Sequence, residues 1–433
     1  MTGHNLEYLG AFAFPAGDNW AYSGHALAFD PVGDPGGSSD GFPGSLFAAA
    51  HAQQDLVGEI SIPEPLVGVP FASLPLASEL QAPADITGGA IAALCGAYAG
   101  SDCDTWDIGG LEVLPALGKV AWNVYDWYNV APEDMESLGW SNRDMSSPEG
   151  VWHIGPRPND AYPNEFHNGK TCDYLLTAPA GFAADHLGGR SLISGYHRPS
   201  GTHGGSQGPT LFASAPWLNG SPPSPGQNLD ALALVFYPWV LACSDNDFAQ
   251  CVFPGYRVND SWGGAAWIDT GTVHGIVVFG LKGLGDNCYG IPDGSPAEDH
   301  CPVSLCTPYK GWNSDPYQPR VLMYDPDDVA EVVAGSRNPW DVLPYLSLDL
   351  TSEVFDADCA RLRGVAFDRE NGLIYVAESE VGEFGETAVH VWHVNAEIVF
   401  RDDFESGDGA AWSGSSPSMA HRIRFAVAGR RMR

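Results

Sequence analysis

The chain has 433 residues, and its 20 Lys+Arg against 54 Asp+Glu give a net charge of −34. A surface this acidic repels phosphate backbones, which argues against nucleic-acid binding and suits cationic partners, divalent ions or high salt. The 44% hydrophobic content excludes wholesale disorder, and 52 Gly with 34 Pro speak against a helical bundle; no apolar run of about 18 residues predicts membrane insertion.

The opening residues, Met1 to His4, show neither the basic nor the apolar stretch of an export signal. From there the chain repeats one phrase: a strand, usually led by glycine, a turn, a second strand, a longer polar loop and a third strand. Its first occurrence is 24–30, 45–50 and 56–62, with a fourth strand at 73–80. The second is 109–114 and 119–127, with a later strand at 151–155; the stretch 81–150 is otherwise poorly resolved by pattern. The third is 173–178, 191–196, 210–217 and 231–237, and the fourth is 263–269, 273–282, 320–325 and 345–350. A helix follows Asp325, which can cap it, with Val329, Val332 and Val333 as its apolar face. The fifth is 364–368, 373–378 and 388–394, and it lacks a fourth strand of its own, which 6–14 could supply.

A repeat of about 80 residues built from four strands reads as a propeller blade, whose two faces are buried only by stacking in a ring. The expectation is an all-β propeller over 1–398 with about five blades, closed by the N-terminal strand, six or seven remaining open. The competing fold is a two-sheet sandwich. It leaves unexplained why segments at both ends, 24–30 and 364–368, are Gly-led and finish Ala-Phe-Asp.

The nine cysteines contain no CxxC pair, so a zinc ribbon is not indicated. Cys95 with Cys103, and Cys243 with Cys251, bracket short polar loops that suit local disulfides and an oxidising compartment. A further pair is expected among Cys288, Cys301 and Cys306, while Cys172 and Cys359 stand isolated; the odd total leaves at least one thiol over.

The residues Asp403, Phe404, Glu405, Ser406, Gly407 and Asp408, followed by Trp412, resemble a short C-terminal segment carried by many secreted proteobacterial proteins. That resemblance implies a secreted or cell-surface location and says nothing of activity. The segment 399–433, with five arginines after residue 420, is expected to be a weakly packed tail.

In a propeller the residues leading into each first strand, and the loops after each second strand, open on one face. On that face the sequence places His25, Asp107, His167, Asp173, Trp262, Arg361 and Arg363, with His51, Trp127, Tyr128, Lys282 and Glu378 from the loops. The loop 195–209 adds Tyr196, His197, Arg198 and His203 among five glycines. Histidine suits proton transfer near neutral pH, tyrosine can act as an acid, and arginine can neutralise a carboxylate. Two GxSxG matches, at Ser39 and Ser206, lack the strand–turn–helix setting of a nucleophile elbow.

Two function classes follow. One is an enzyme on an extracellular polysaccharide. As a lyase it would use Tyr196, His197 and His203. As a hydrolase it would use two carboxylates from Asp107, Asp173 and Glu378. Five-bladed propellers are known to host carboxylate glycosidases, an analogy of fold alone. The other class is a non-enzymatic module gripping a sugar or protein through Trp127, Tyr128 and Trp262. No cofactor is required by either; calcium is compatible with the acidic loops, which lack EF-hand spacing.

Overall fold

The strands read from the sequence assemble into five four-stranded antiparallel sheets in a computed structural model. It describes residues 1–37, 42–98, 103–127, 134–157, 165–196, 205–306, 309–382 and 384–395. The tail expected at 399–433 lies outside them.

The first sheet is Leu27–Asp30, Ser45–Ala49, Val57–Ile60 and Glu79–Ala84. The second is Trp106–Leu114, Lys119–Asp126, Leu138–Asn142 and Glu149–Ile154, with Asn228–Leu229 added in parallel outside. The third is Leu175–Thr177, Leu192–Ser194, Leu211–Ser214 and Ala231–Val235. The fourth is Ser261–Asp269, His274–Gly283, Tyr317–Tyr324 and Leu346–Asp349. The fifth is Arg361–Asp368, Leu373–Ser379 and Ala388–Val394, completed by the N-terminal strand Leu6–Ala13.

The first strands of the sheets pack against one another in ring order, Leu27–Asp30 touching both Trp106–Leu114 and Arg361–Asp368. The fold is a five-bladed β-propeller. Its chemistry is legible in the burial: Ser45–Ala49 and Leu373–Ser379 are buried at every position, so both faces of a blade are covered and the strands read as continuous apolar runs rather than alternating ones. Five apolar clusters each join one pair of neighbouring blades. The inner strands approach so closely that only glycine fits. A Cβ on Gly110 would lie 2.4 Å from the Asp173 carbonyl oxygen, and one on Gly264 would lie 2.3 Å from that of Arg363.

The ring closes as expected. Leu6 pairs with Val394 and Ala13 with Ala388 in an antiparallel ladder. The outer edge of this closing strand is itself covered, through reciprocal backbone bonds between Ala11 and Leu66. The helix Pro326–Val333 forms where expected, and the Asp325 carboxylate accepts from the Asp327 amide at 3.0 Å.

Several elements differ from the sequence reading. Leu138–Asn142 was not anticipated, because its signal is tertiary: Gly139 sits against the Trp122 ring, 2.2 Å from where a Cβ would fall. The last strand of the first blade is Glu79–Ala84 rather than 73–80; its largely exposed outer edge gives no hydrophobic pattern. Helices at Ala90–Tyr98 and Ala180–His186 interrupt the inter-strand loops.

Disulfides join Cys95–Cys103 and Cys243–Cys251, as the spacing suggested, and Cys288–Cys301, one of the three pairings left open among Cys288, Cys301 and Cys306. A fourth, Cys306–Cys359, corrects the reading of Cys359 as isolated: the insertion of the fourth blade folds back to the approach of the fifth, with Cα atoms 5.1 Å apart. Cys172 is free and buried. Among the described residues no helix is long and apolar enough to cross a membrane.

Candidate functional site

The first strands all run the same way around the axis, so the residues at their starts gather at one mouth of the channel. Here the structure brings together His25, Asp107, Asp173 and Arg363, with Tyr125 from the second strand of its blade. Asp107 faces Tyr125 across the ladder. The Asp107 carboxylate accepts the Ile108 amide at 2.7 Å on Oδ1 and the Tyr125 hydroxyl at 3.4 Å on Oδ2. His25 Nδ1 lies 3.0 Å from the same Oδ2, an ion-pair contact whose angle falls short of a hydrogen bond. His25 and Asp107 are 9% exposed and Asp173 is 8%, largely desolvated yet reachable from the mouth.

The backbone beneath is fixed. Asn123 Nδ2 donates to the carbonyls of Thr171 and Asp173 at 3.0 and 2.9 Å, and the Asp173 amide donates to Gly195 O at 3.1 Å. Burial pushes the Asp173 carboxyl well above the usual carboxylate range; Arg363 and His25 oppose the shift and Asp107 adds to it. Tyr125 is likewise held far up, by burial first and then by Asp107. Asp55, in the loop after the second strand of the first blade, is pushed up to about 7 by burial and by the charges of Asp107, Asp85 and Asp104. Asp55 and Tyr125 fall on the rim that the sequence places at this face, but the sequence reading gave neither a role in the site. Tyr125 could have been found as the cross-strand neighbour of Asp107.

The remaining candidates are placed elsewhere. Glu378 is fully buried inside its blade. Its carboxylate accepts from the amides of Phe355 and Asp356 at 2.9 and 2.8 Å and bonds His390 Nε2 at 2.8 Å, so it is not an open carboxylate at the mouth. Lys282 is 8% exposed and donates to Asp260 Oδ1 at 2.7 Å and Gly283 O at 2.6 Å; it is a structural cation rather than a free rim group. Trp262 and Tyr196 belong to the apolar core between the third and fourth blades, where Tyr196 lies among Tyr174, Tyr256 and Tyr324. Burial removes Trp262 as a stacking platform and Tyr196 as a rim acid. His167 is buried and its Nδ1 caps the turn Asn168–Lys170, accepting from Gly169 N at 3.0 Å.

Arg361 pairs with Glu380 on the surface. His51 Nδ1 accepts from the Gln53 amide at 3.2 Å, its ring edge-on to Tyr22. Trp127 is 51% exposed at the end of its strand. Tyr128, His197, Arg198 and His203 lie outside the described residues. Among the described residues no group of three or more His, Cys, Asp or Glu side chains is arranged to hold a metal ion, so the acidic loops supply no calcium cage there.

The mouth therefore places a carboxyl whose ionisation is opposed by burial near a second carboxyl supplied with hydrogen-bond donors. No family model and no curated protein matches the chain. Among 35 solved chains that match is a luciferin-regenerating enzyme, at 10% identity and a TM-score of 0.34, over 90% of this chain and 94% of that one.

Proposed function

We propose that the protein is a secreted glycoside hydrolase that cleaves an extracellular polysaccharide at the channel mouth. The observation carrying this reading is the unequal surroundings of two carboxyls: burial raises Asp173 well above the usual carboxylate range, while Asp107 accepts from the Ile108 amide and the Tyr125 hydroxyl beside His25. In glycoside hydrolysis one carboxylic acid protonates the leaving oxygen while a carboxylate assists attack at the anomeric carbon. Asp173 fits the first role and Asp107 the second. Arg363 and His25 would hold substrate oxygens, and exposed Trp127 would offer a sugar ring a face to stack on. Four disulfides support an oxidising location.

The test is a screen of the purified protein against a polysaccharide panel, read for reducing ends and for the absorbance of unsaturated uronates. Reducing ends without unsaturated products are expected. Asp173→Asn and Asp107→Asn should each lower turnover about 10²–10⁴-fold with the fold intact. Unsaturated products would mark a lyase and overturn the hydrolase. A second reading, a sugar-binding module, is favoured by Trp127 and by Tyr22, which is 45% exposed beside His51. It predicts that sugars raise the melting temperature of both Asn variants while no product forms.

A further inference from the structure

The outer edge of the closing strand Leu6–Ala13 is covered along its later part only, and there by extended chain. Ala11 exchanges both backbone bonds with Leu66 in an antiparallel bridge. Ala13 donates to Pro75 O at 2.9 Å and accepts from the Ala77 amide at 2.8 Å. A Cβ on Gly10 would lie 2.5 Å from the Leu66 carbonyl, so glycine at that position lets the added segment come close.

The earlier part is open. Val394 donates to Gly372 O at 2.8 Å, away from the closing strand, whereas Asn395 donates to Asn5 O at 2.8 Å, toward it. The register pairs Leu6 with Val394, Glu7 with His393 and Tyr8 with Trp392. Alternation then makes Glu7 the inward-bonded residue and turns the backbone amide and carbonyl of Tyr8 outward. No described residue bonds either group. Between this edge and the last strand of the fourth blade, Leu346–Asp349, lies a cavity of about 760 Å³. That volume falls within the roughly 300–1,000 Å³ of ligand sites. Leu6 and Tyr8, which share one face of their strand, line it together with Leu348 and Leu350. Glu7 is exposed on the other face, its Oε2 accepting from Asn395 Nδ2 at 2.8 Å.

We propose that this edge and cavity bind an extended peptide by antiparallel strand addition, continuing the cover that Leu66 begins. The peptide is apolar at every second residue and basic in between. An apolar residue opposite Tyr8 exchanges both backbone bonds with it and puts its side chain into the cavity. The intervening residues fall on the face that carries Glu7, where a lysine makes a cross-strand pair of opposite charge. The net charge of −34 draws a basic peptide to the protein and repels an acidic one. The site belongs to outer strands, so the proposal goes beyond the reading of the channel mouth and does not depend on it.

Calorimetric titration of the full chain with the peptide acetyl-Lys-Val-Lys-Val-Lys-amide tests it. The peptide should bind. N-methylation of its two valines, whose amides face the edge, should abolish binding, whereas N-methylation of its middle lysine, whose amide faces solvent, should leave the affinity nearly unchanged. The version with glutamate in place of lysine should bind about tenfold more weakly at low salt, and Glu7→Gln should narrow that gap. Leu348→Trp, which fills the cavity, should abolish binding. No binding of the parent peptide at millimolar concentration, or equal effects of the two methylations, would overturn the proposal. So would sedimentation of the protein as a dimer that excludes the peptide, which would give the edge to a second copy of the chain. Should Leu348→Trp not fold, the two methylated peptides on the parent chain decide it.

Discussion

Lys282 shows how a residue's role turns on which way it points. Its position at the end of a second strand suggested a rim cation, but its ammonium is turned inward to Asp260, which is fully buried and also accepts the amides of Arg257 and Gly283. Removing one partner of such a pair leaves a buried charge uncompensated. Lys282→Met is therefore expected to cost about 3 kcal/mol in urea unfolding, with sugar binding spared in whatever remains folded. A ligand-holding lysine would give the reverse. The same ambiguity explains Trp262, Tyr196 and Glu378: strand position fixes height along the channel, while a one-residue change of phase decides whether a side chain faces the axis or a neighbouring blade. His25, Asp107, Asp173 and Arg363 were legible because residues that start inner strands have the channel mouth before them. Glu112 supplies a second test. Burial raises it to about 7 from 4.5, against the opposing effects of the Thr177 hydroxyl and Arg369. The folded state thus holds its proton more tightly than the unfolded chain does. Its stabilising contribution is fullest below the unfolded value and declines as pH rises toward 7. Glu112→Gln should be more stable than the parent above that pH, by on the order of 1 kcal/mol after discounting for partial exposure, and its stability should change less between about pH 5 and about pH 8.

At the scale of elements, the inner and middle strands were legible because burial on both faces writes itself as apolar runs bounded by Gly and Pro. The outermost strands were not, since Glu79–Ala84 is mostly exposed and Leu138–Asn142 depends on a glycine receiving a tryptophan ring. Disulfides divide in the same way. Cysteines eight residues apart announce a local loop, whereas Cys306 and Cys359 are separated by 53 residues and are joined only by the fold. The long bridge is also the one that should matter most. On the chain-entropy account a loop of 53 residues stabilises by about 4 kcal/mol and one of eight by about 2.5 kcal/mol. Cys306→Ser with Cys359→Ser should therefore lower the denaturation midpoint further than Cys95→Ser with Cys103→Ser. Equal losses would mean that the 306–359 tie constrains the unfolded chain no more than a short loop does.

For the whole molecule the decisive interaction is between the two ends of the propeller. Every other blade is made from one continuous stretch, apart from the small added strand on the second, but the fifth borrows its outer strand from residues 6–13. Deleting residues 1–15 would expose the edge of Ala388–Val394 and uncover the cluster shared by the fifth and first blades, in which Phe12 and Phe14 are 0% and 3% exposed. Burial of those two rings alone is worth on the order of 5 kcal/mol. The unpaired backbone groups of the ladder add to the loss and leave an edge open to association. The expected result is a fall in melting temperature of roughly 5–10 °C or more, or loss of a cooperative transition, with dimers or larger species on size exclusion. Adding a synthetic peptide of residues 1–15 should restore much of the loss, because it re-forms the same ladder from Leu6↔Val394 to Ala13↔Ala388. Deleting 414–433 removes none of these contacts and should leave the melting temperature near that of the parent. If the two truncations melt together, closure by the N-terminal strand does not govern the stability of the ring.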